Sequence, residues 1–156
     1  MNITETLTDK TQGKRFSFEI LPPLKGNGTQ ALFATLDELT EANPLFINIT
    51  THHSEYVYKE MENGLLQRLR VRRRPGTIAI AATIQNRYHV PVIPHVICSG
   101  VTREDIEYEL IDLQFLGINT ILLLRGDKAK EDNHFKPTPG GHAHTTDLIR
   151  QVKRFN

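Results

Sequence analysis

Four short apolar runs in this sequence end in polar, titratable residues, and the chemistry is to be sought there. Glu19 lies in Phe16-Ser-Phe-Glu-Ile-Leu-Pro-Pro23. A carboxyl between apolar neighbours on a strand, if buried, keeps its proton near neutral pH and is suited to general-acid work. Alternatively, Glu19 is an edge-strand carboxylate facing solvent. Thr50-Thr51-His52-His53 follows the second run, and His95 to Cys98 close the third. Arg125-Gly126-Asp127 ends the most apolar run. There a glycine lets a ligand approach the backbone, Arg can grip phosphate in a fork, and Asp can act electrostatically on a bound ring. An ordinary polar strand terminus is the simpler reading of the same tripeptide.

Other candidates are weaker. His95, between Pro94 and an apolar strand end, is either a satisfied core histidine or a ligand. His134, His142 and His144 lack the Cys or closely spaced carboxylates that would complete a metal site, so no metal is expected. Cys98 has nothing nearby in sequence to depress its pKa. Arginines at 68, 70, 72, 73 and 74 form the densest charge cluster. They suit phosphates or acidic tails, or simply a solvated helix end. No Walker-type loop and no G-x-G-x-x-G fingerprint is present.

The elements that must position these residues follow one pattern, a short apolar run, a turn signal, then a longer amphipathic segment. Strands are predicted at 15–20, 45–49, 90–98 and 119–125. Pro22-Pro23 stops the first. A helix with Thr29 as N-cap runs to Ala42, carrying Leu32, Phe33, Leu36 and Leu39 at helical spacing. Residues 55–69 read as helix, with Tyr58, Met61, Leu65 and Leu69 as its stripe. Thr77 caps another helix to about Tyr88. Thr102 and Asp105 resemble a capping box for a helix to Leu116, with Gly117 as its C′ residue. After a Pro/Gly/His-rich loop over 126–144, a last helix spans Thr145 to Phe155. The order β-α-β-α-α-β-α-β-loop-α implies an α/β fold with parallel strands. Ligands in such folds bind at the C-terminal strand ends, which hold Glu19, residues 50–53, His95 to Cys98 and residues 125–127.

Composition narrows the classes further. The chain has 156 residues and a formal charge of +1, from 19 Lys+Arg against 18 Asp+Glu. That balance gives no electrostatic case for a nucleic-acid or membrane-surface partner. A single Cys excludes a disulfide within the chain and fits a reducing compartment. The N-terminus MNITETLTDK has no apolar h-region, and no apolar run approaches the ~20 residues that span a bilayer. A soluble cytoplasmic protein is expected.

Taken together, the strand-end segments resemble the methylenetetrahydrofolate reductase family. The resembling stretches are F-S-F-E-I-L-P-P (16–23), F-I-N-I-T (46–50), P-H-V-I-C (94–98), L-L-L-R-G-D (122–127) and T-D-L-I (146–149), in the family's order. The first and fourth together are specific. The segment from Asn63 to Asn86 resembles a branch with a longer second crossover. The resemblance implies a TIM barrel that binds FAD at its strand C-termini. It also implies reduction of 5,10-methylenetetrahydrofolate to 5-methyltetrahydrofolate, with NADH or NADPH as co-substrate. It implies Glu19 as general acid and Asp127 near the flavin and folate. Thr50, Thr51, His53, His95, Arg125, Gly126, His144 and Thr145 match cofactor-contacting positions. Residues 51–53 replace a common Tyr-Gly-Ala, and His144-Thr145 replaces Tyr-Ala. Backbone contacts there do not depend on the replaced side chains, whereas ring stacking at 51 and 144 does.

Length then conflicts with the fold. A closed eight-stranded barrel takes about 250 residues, and four strands are counted here. Residues 1–156 are thus expected to be an N-terminal (βα)4 portion, a half or incomplete barrel with exposed edges. A fragment of a longer protein, with little activity of its own, is one expectation. The other is a noncatalytic assembly module, in which half barrels self-associate or join the missing half.

Overall fold

The computed structural model describes residues 3–8, 14–129 and 131–155. The chain opens with a short helix, α1 (Ile3–Thr8), and then β1 (Phe18–Ile20). Helix α2 (Gln30–Glu41) buries Leu32 and Leu36. Thr29 stands at its N-cap position but makes no side-chain cap bond. Its backbone is already near helical values (φ −100°, ψ −12°), so the hydroxyl is not presented to the first turn as an extended cap residue's would be. Asn43, at φ 51°, leaves the helix through the left-handed region that Asn tolerates, and Pro44 prevents its continuation.

Strand β2 (Ile47–Ile49) pairs parallel to β1, Glu19 standing opposite Asn48. The next segment departs from the helix expected of it. Residues 55–69 instead form most of an antiparallel hairpin, β3 (Glu55–Glu60) and β4 (Leu66–Val71), with Val57 opposite Leu69. Asn63-Gly64 makes the turn: Gly64 sits at φ 74°, and the Asn63 side-chain carbonyl accepts from Leu65 N–H at 3.1 Å. The expected helical stripe has nothing to pack on. Tyr58, Met61 and Leu65 are 60%, 45% and 64% exposed, and without burial the β-formers Tyr56-Val57-Tyr58 settle the conformation.

Helix α3 (Thr77–Tyr88) begins after Gly76 and buries Ile80, Ala81 and Ile84. Strand β5 (Val92–Ile97) is buried along its whole length. Helix α4 (Arg103–Phe115) carries the expected capping box: Thr102 N–H donates to the Asp105 carboxylate at 2.8 Å, and Asp105 N–H to Thr102 Oγ1 at 3.1 Å. It ends in a Schellman motif at Gly117, with Ile118 N–H on Leu113 C=O and Gly117 N–H on Gln114 C=O. Strand β6 (Leu122–Leu124) and helix α5 (Thr145–Phe155) follow.

Removing the capping box by Asp105→Ala is expected to cost about 1 kcal/mol in urea unfolding. The Thr102 backbone and hydroxyl hold the Asp105 carboxyl below its usual value of 3.8. A lowered acid stabilises the fold above its unfolded value, and that stability is lost as pH falls through the native one. The variant therefore loses part of its acid sensitivity near and below pH 3.8.

The sheet has the order β1-β2-β5-β6, all parallel, with a helix in every crossover. These are four βα units side by side, as in one half of a (β/α)₈ barrel. Ile20, Ile47, Ile49, Val92 and Val96 face the helices and pack with Leu36, Ile84, Ile106, Leu113 and Leu148. Strand alternation and register put Glu19, Asn48, Ile93, His95, Leu122 and Leu124 on the opposite face. That face is partly uncovered, with Leu122 at 39% and Leu124 at 38% exposure. Strands β1 and β6 are its edges.

Candidate functional site

At the C-terminal ends of the four parallel strands lies a cleft of about 880 Å³. Each strand delivers its share because the apolar run ends beside a polar residue. Beyond β2, Thr50 is held by two bonds to Ile20 C=O, from its N–H at 3.1 Å and its hydroxyl at 3.2 Å. The Thr51 hydroxyl donates to the His95 carbonyl, tying the β2 and β5 ends together. Beyond β6, Arg125 lies over the Phe135 ring at 4.9 Å, a cation–π contact that fixes its guanidinium at the cleft wall.

Gly126 is required where it stands. Its φ is +80°, and a Cβ there would come within 2.8 Å of Ser99 Cβ and 3.3 Å of Ile97 Cβ. The close approach lets the Ser99 hydroxyl donate to the Asp127 carbonyl at 2.7 Å, which fixes the turn presenting the Asp127 side chain. At the far wall, His144 C=O accepts the amides of Asp147 and Leu148, so His144 and Thr145 are set by the start of α5.

Each candidate catalytic or cofactor-contacting residue of the sequence lines this one cleft: Glu19, Thr50, Thr51, His53 and His95 on one side, Arg125, Gly126, Asp127, His144 and Thr145 on the other. His52 and Ile97, which the sequence placed at the strand ends without giving them a role, line the cleft as well, and sequence reasoning missed Thr146 and the apolar wall that Leu122 and Leu124 add. The alternation in Leu122-Leu-Leu124 was hidden by its being apolar throughout; only the register shows which leucines face the cleft.

Two residues behave differently from expectation. Glu19 is not buried: its side chain is 58% exposed. Its strand is three residues long and lies at the sheet edge on the uncovered face, so no neighbour removes it from water. His95 is the buried member instead. Its side chain is 6% exposed, and Nε2 stands 3.7 Å from the Glu19 carboxylate with no hydrogen-bond partner among the described residues. Burial lowers the His95 pKa from 6.5 against the opposing pull of Glu19, so the ring is held neutral. His52 is lowered too, first by burial and then by Arg74.

The remaining candidates lie elsewhere. His142 is buried against Gln151, 2.6 Å from its amide oxygen. Among the described residues no three His, Cys, Asp or Glu converge as metal ligands. Cys98 is fully buried and its thiol pKa is pushed up by that burial. No helix of the described residues is long and apolar enough to cross a membrane.

Comparison with known proteins gives the family. The family model for methylenetetrahydrofolate reductase matches residues 3–156. Methylenetetrahydrofolate reductase (NADH) 1 of Arabidopsis thaliana is 30% identical over 138 residues, 88% of this chain and 21% of that protein. Methylenetetrahydrofolate reductase 2 of Saccharomyces cerevisiae is 30% identical over 157 residues, 98% of this chain and 24% of its own length. The 5,10-methylenetetrahydrofolate reductase of Pectobacterium carotovorum is 29% identical over 140 residues, 90% of this chain and 41% of its own length. The chain thus spans between a fifth and two fifths of these relatives. With the family model matched along almost its whole length and the α/β strand order in place, the chain belongs to the methylenetetrahydrofolate reductase family.

Proposed function

We propose that residues 1–156 form the N-terminal (βα)4 portion of an FAD-dependent methylenetetrahydrofolate reductase barrel. Its reaction is the reduction of 5,10-methylenetetrahydrofolate to 5-methyltetrahydrofolate with NADH or NADPH, in the cytoplasm. One observation carries the reading: a carboxylate, a buried imidazole whose Nε2 has no hydrogen-bond partner among the described residues, and an Arg-Gly-Asp turn, from three separate strands, meet in one cleft.

The cleft fits the cofactor. Its roughly 880 Å³ falls within the range of cofactor pockets. Leu122, Leu124 and Ile97 offer an apolar wall, and an orphaned ring nitrogen at His95 asks for a polar partner. Thr50, Thr51, His53, His95, Arg125, Gly126, His144 and Thr145 would hold FAD, which supplies hydride transfer between nicotinamide and folate. The chain's own work is with protons and charge. Glu19, exposed in this chain, would act once the further strands cover its face: it donates a proton to the folate N10 amine, and the bond from N10 to the methylene carbon breaks as the five-membered ring opens. Asp127 faces the same space and stabilises the positive charge that develops on the substrate. The Thr51 hydroxyl, on the His95 carbonyl, holds the β2 and β5 ends at fixed separation.

In this reading, further strands pair with β1 and β6 and cover Leu122 and Leu124. The alternative is that a second copy covers them. A titration of FAD followed by flavin fluorescence tests the cofactor, both with this chain and with one extended by four more βα units. Saturable quenching is expected, weakened about tenfold or more in Arg125→Ala by loss of a charge-assisted contact. Absence of binding in both forms overturns the reading.

A further inference from the structure

The hairpin explains what most of the arginine cluster does. Arg74 donates to the Pro22 carbonyl, and Arg73 pairs with Glu55 at 2.8 Å. Arg70 and, less strongly, Arg72 favour the ionised form of Asp105, and Arg72 opposes the burial that raises the Glu109 carboxyl. Neither Arg68 nor Arg70 forms a close ion pair with any described residue. Arg70 donates to the Gly100 carbonyl at 2.6 Å, and Arg68 lies over the Tyr56 ring at 3.6 Å.

Both guanidiniums line a hollow of about 410 Å³ between the hairpin and the loop that follows Asp127. Three carboxylates also line it. Glu55 pairs with Arg73 and Asp132 with Lys136, which leaves Glu131 against the guanidiniums of Arg68 and Arg70, the latter also acting on Asp105. The hollow adjoins the main cleft at His53, which lines both. The partition is fixed: Gly100 packs so tightly on His53 that a Cβ would lie 3.1 Å from the His53 Cβ, and Ser99 is bonded to Asp127. Arg70 is therefore anchored to the same turn that orders the Arg-Gly-Asp segment.

We propose that this hollow is a phosphate subsite, taking a nucleotide phosphate whose attached ring system reaches into the main cleft. A guanidinium backed by an aromatic face keeps its edge N–H groups in a fixed plane, suited to forked bonding of phosphate oxygens. The anchored Arg70 holds the second fork beside it. The link to the cleft rests on the nucleotide-dependent reading above; the subsite itself rests on the hairpin. The phosphate belongs either to FAD or to the nicotinamide dinucleotide.

The probe is ADP, titrated into the protein and followed by NMR of the hairpin amides. Saturable shifts at Tyr56, Arg68 and Arg70 are expected. Affinity should fall about tenfold or more in R68Q/R70Q, which removes both charges while the new amide at position 70 keeps a donor for the Gly100 carbonyl. Unchanged hairpin amide positions in the free variant show that the hairpin survives, and R68K/R70K recovers part of the affinity. Competition of ADP by FAD or by NADH identifies the source. No saturable ADP binding, or equal affinity in R68Q/R70Q, overturns the subsite. Riboflavin binding is measured beside it, with this chain and with the one extended by four βα units: ADP binding with no riboflavin binding in either form sinks the flavin reading and leaves the subsite, and the reverse result sinks the subsite alone.

Discussion

Glu19→Gln lowers folate reduction by a factor of roughly 10²–10⁴, the usual worth of a general acid. Under the proposed acid role it leaves reduction of the flavin by the nicotinamide within about twofold, because only the folate step would use this proton. The experiment belongs in a form of the protein that turns over, with the two half-reactions measured separately. Gln matches Glu in shape and keeps a polar group at the cleft wall, 3.7 Å from His95 where the carboxylate stood. What it lacks is a transferable proton. The folate step needs one at an amine nitrogen, whereas hydride passing from nicotinamide to flavin does not need one from this residue. Loss of both half-reactions to the same degree would contradict the acid role and point to a positional one. In the 156-residue chain Glu19 sits exposed on the sheet face, so its replacement there removes no buried contact and the stability of that variant should match its parent's.

Gly126→Ala should be the most damaging single methyl in the site, costing about 2–5 kcal/mol. Two independent penalties contribute. The left-handed backbone at φ +80° costs a non-glycine residue about 1–2 kcal/mol. The added Cβ would stand 2.8 Å from Ser99 Cβ and 3.3 Å from Ile97 Cβ, and forced overpacking costs a further 1–3 kcal/mol or so. Gly28 separates the two. It has φ +65° with nothing within 4 Å of where a methyl would stand, so Gly28→Ala should show the backbone penalty alone. Urea unfolding with unchanged m-values reads both. Equal losses at the two positions would remove the steric part of the argument. The Gly126 variant should also lose flavin affinity, since Ser99 can then no longer hold the Asp127 carbonyl at 2.7 Å.

The parallel sheet was legible because its strands announce themselves locally. Each is a short apolar run stopped by Pro, Gly or a polar pair, and each following helix carries its stripe and, at Thr102-Asp105, its cap. The hairpin was not legible in the same way. Tyr58, Met61, Leu65 and Leu69 have helical spacing, and β-formers occupy the same stretch. Periodicity alone cannot choose between them; the choice falls to what packs against the segment, and the described residues supply no core there.

By itself, the sequence determined the element types at most positions, the polar residues at four strand ends, and the order in which they occur. Those are local matters, set by side-chain periodicity and turn chemistry. That the four strand ends form one composite site was an expectation from the sequence; only the tertiary structure decided the order β1-β2-β5-β6 and which residues wall the cleft there. It alone decided that His95, not Glu19, is the buried group. It alone set Arg68 and Arg70 on Tyr56 and Gly100, facing a hollow, while Arg73 took the nearby acid. The reason is physical. Burial and charge pairing depend on neighbours brought from distant parts of the chain, and a side chain's chemistry is fixed by those neighbours as much as by its own type.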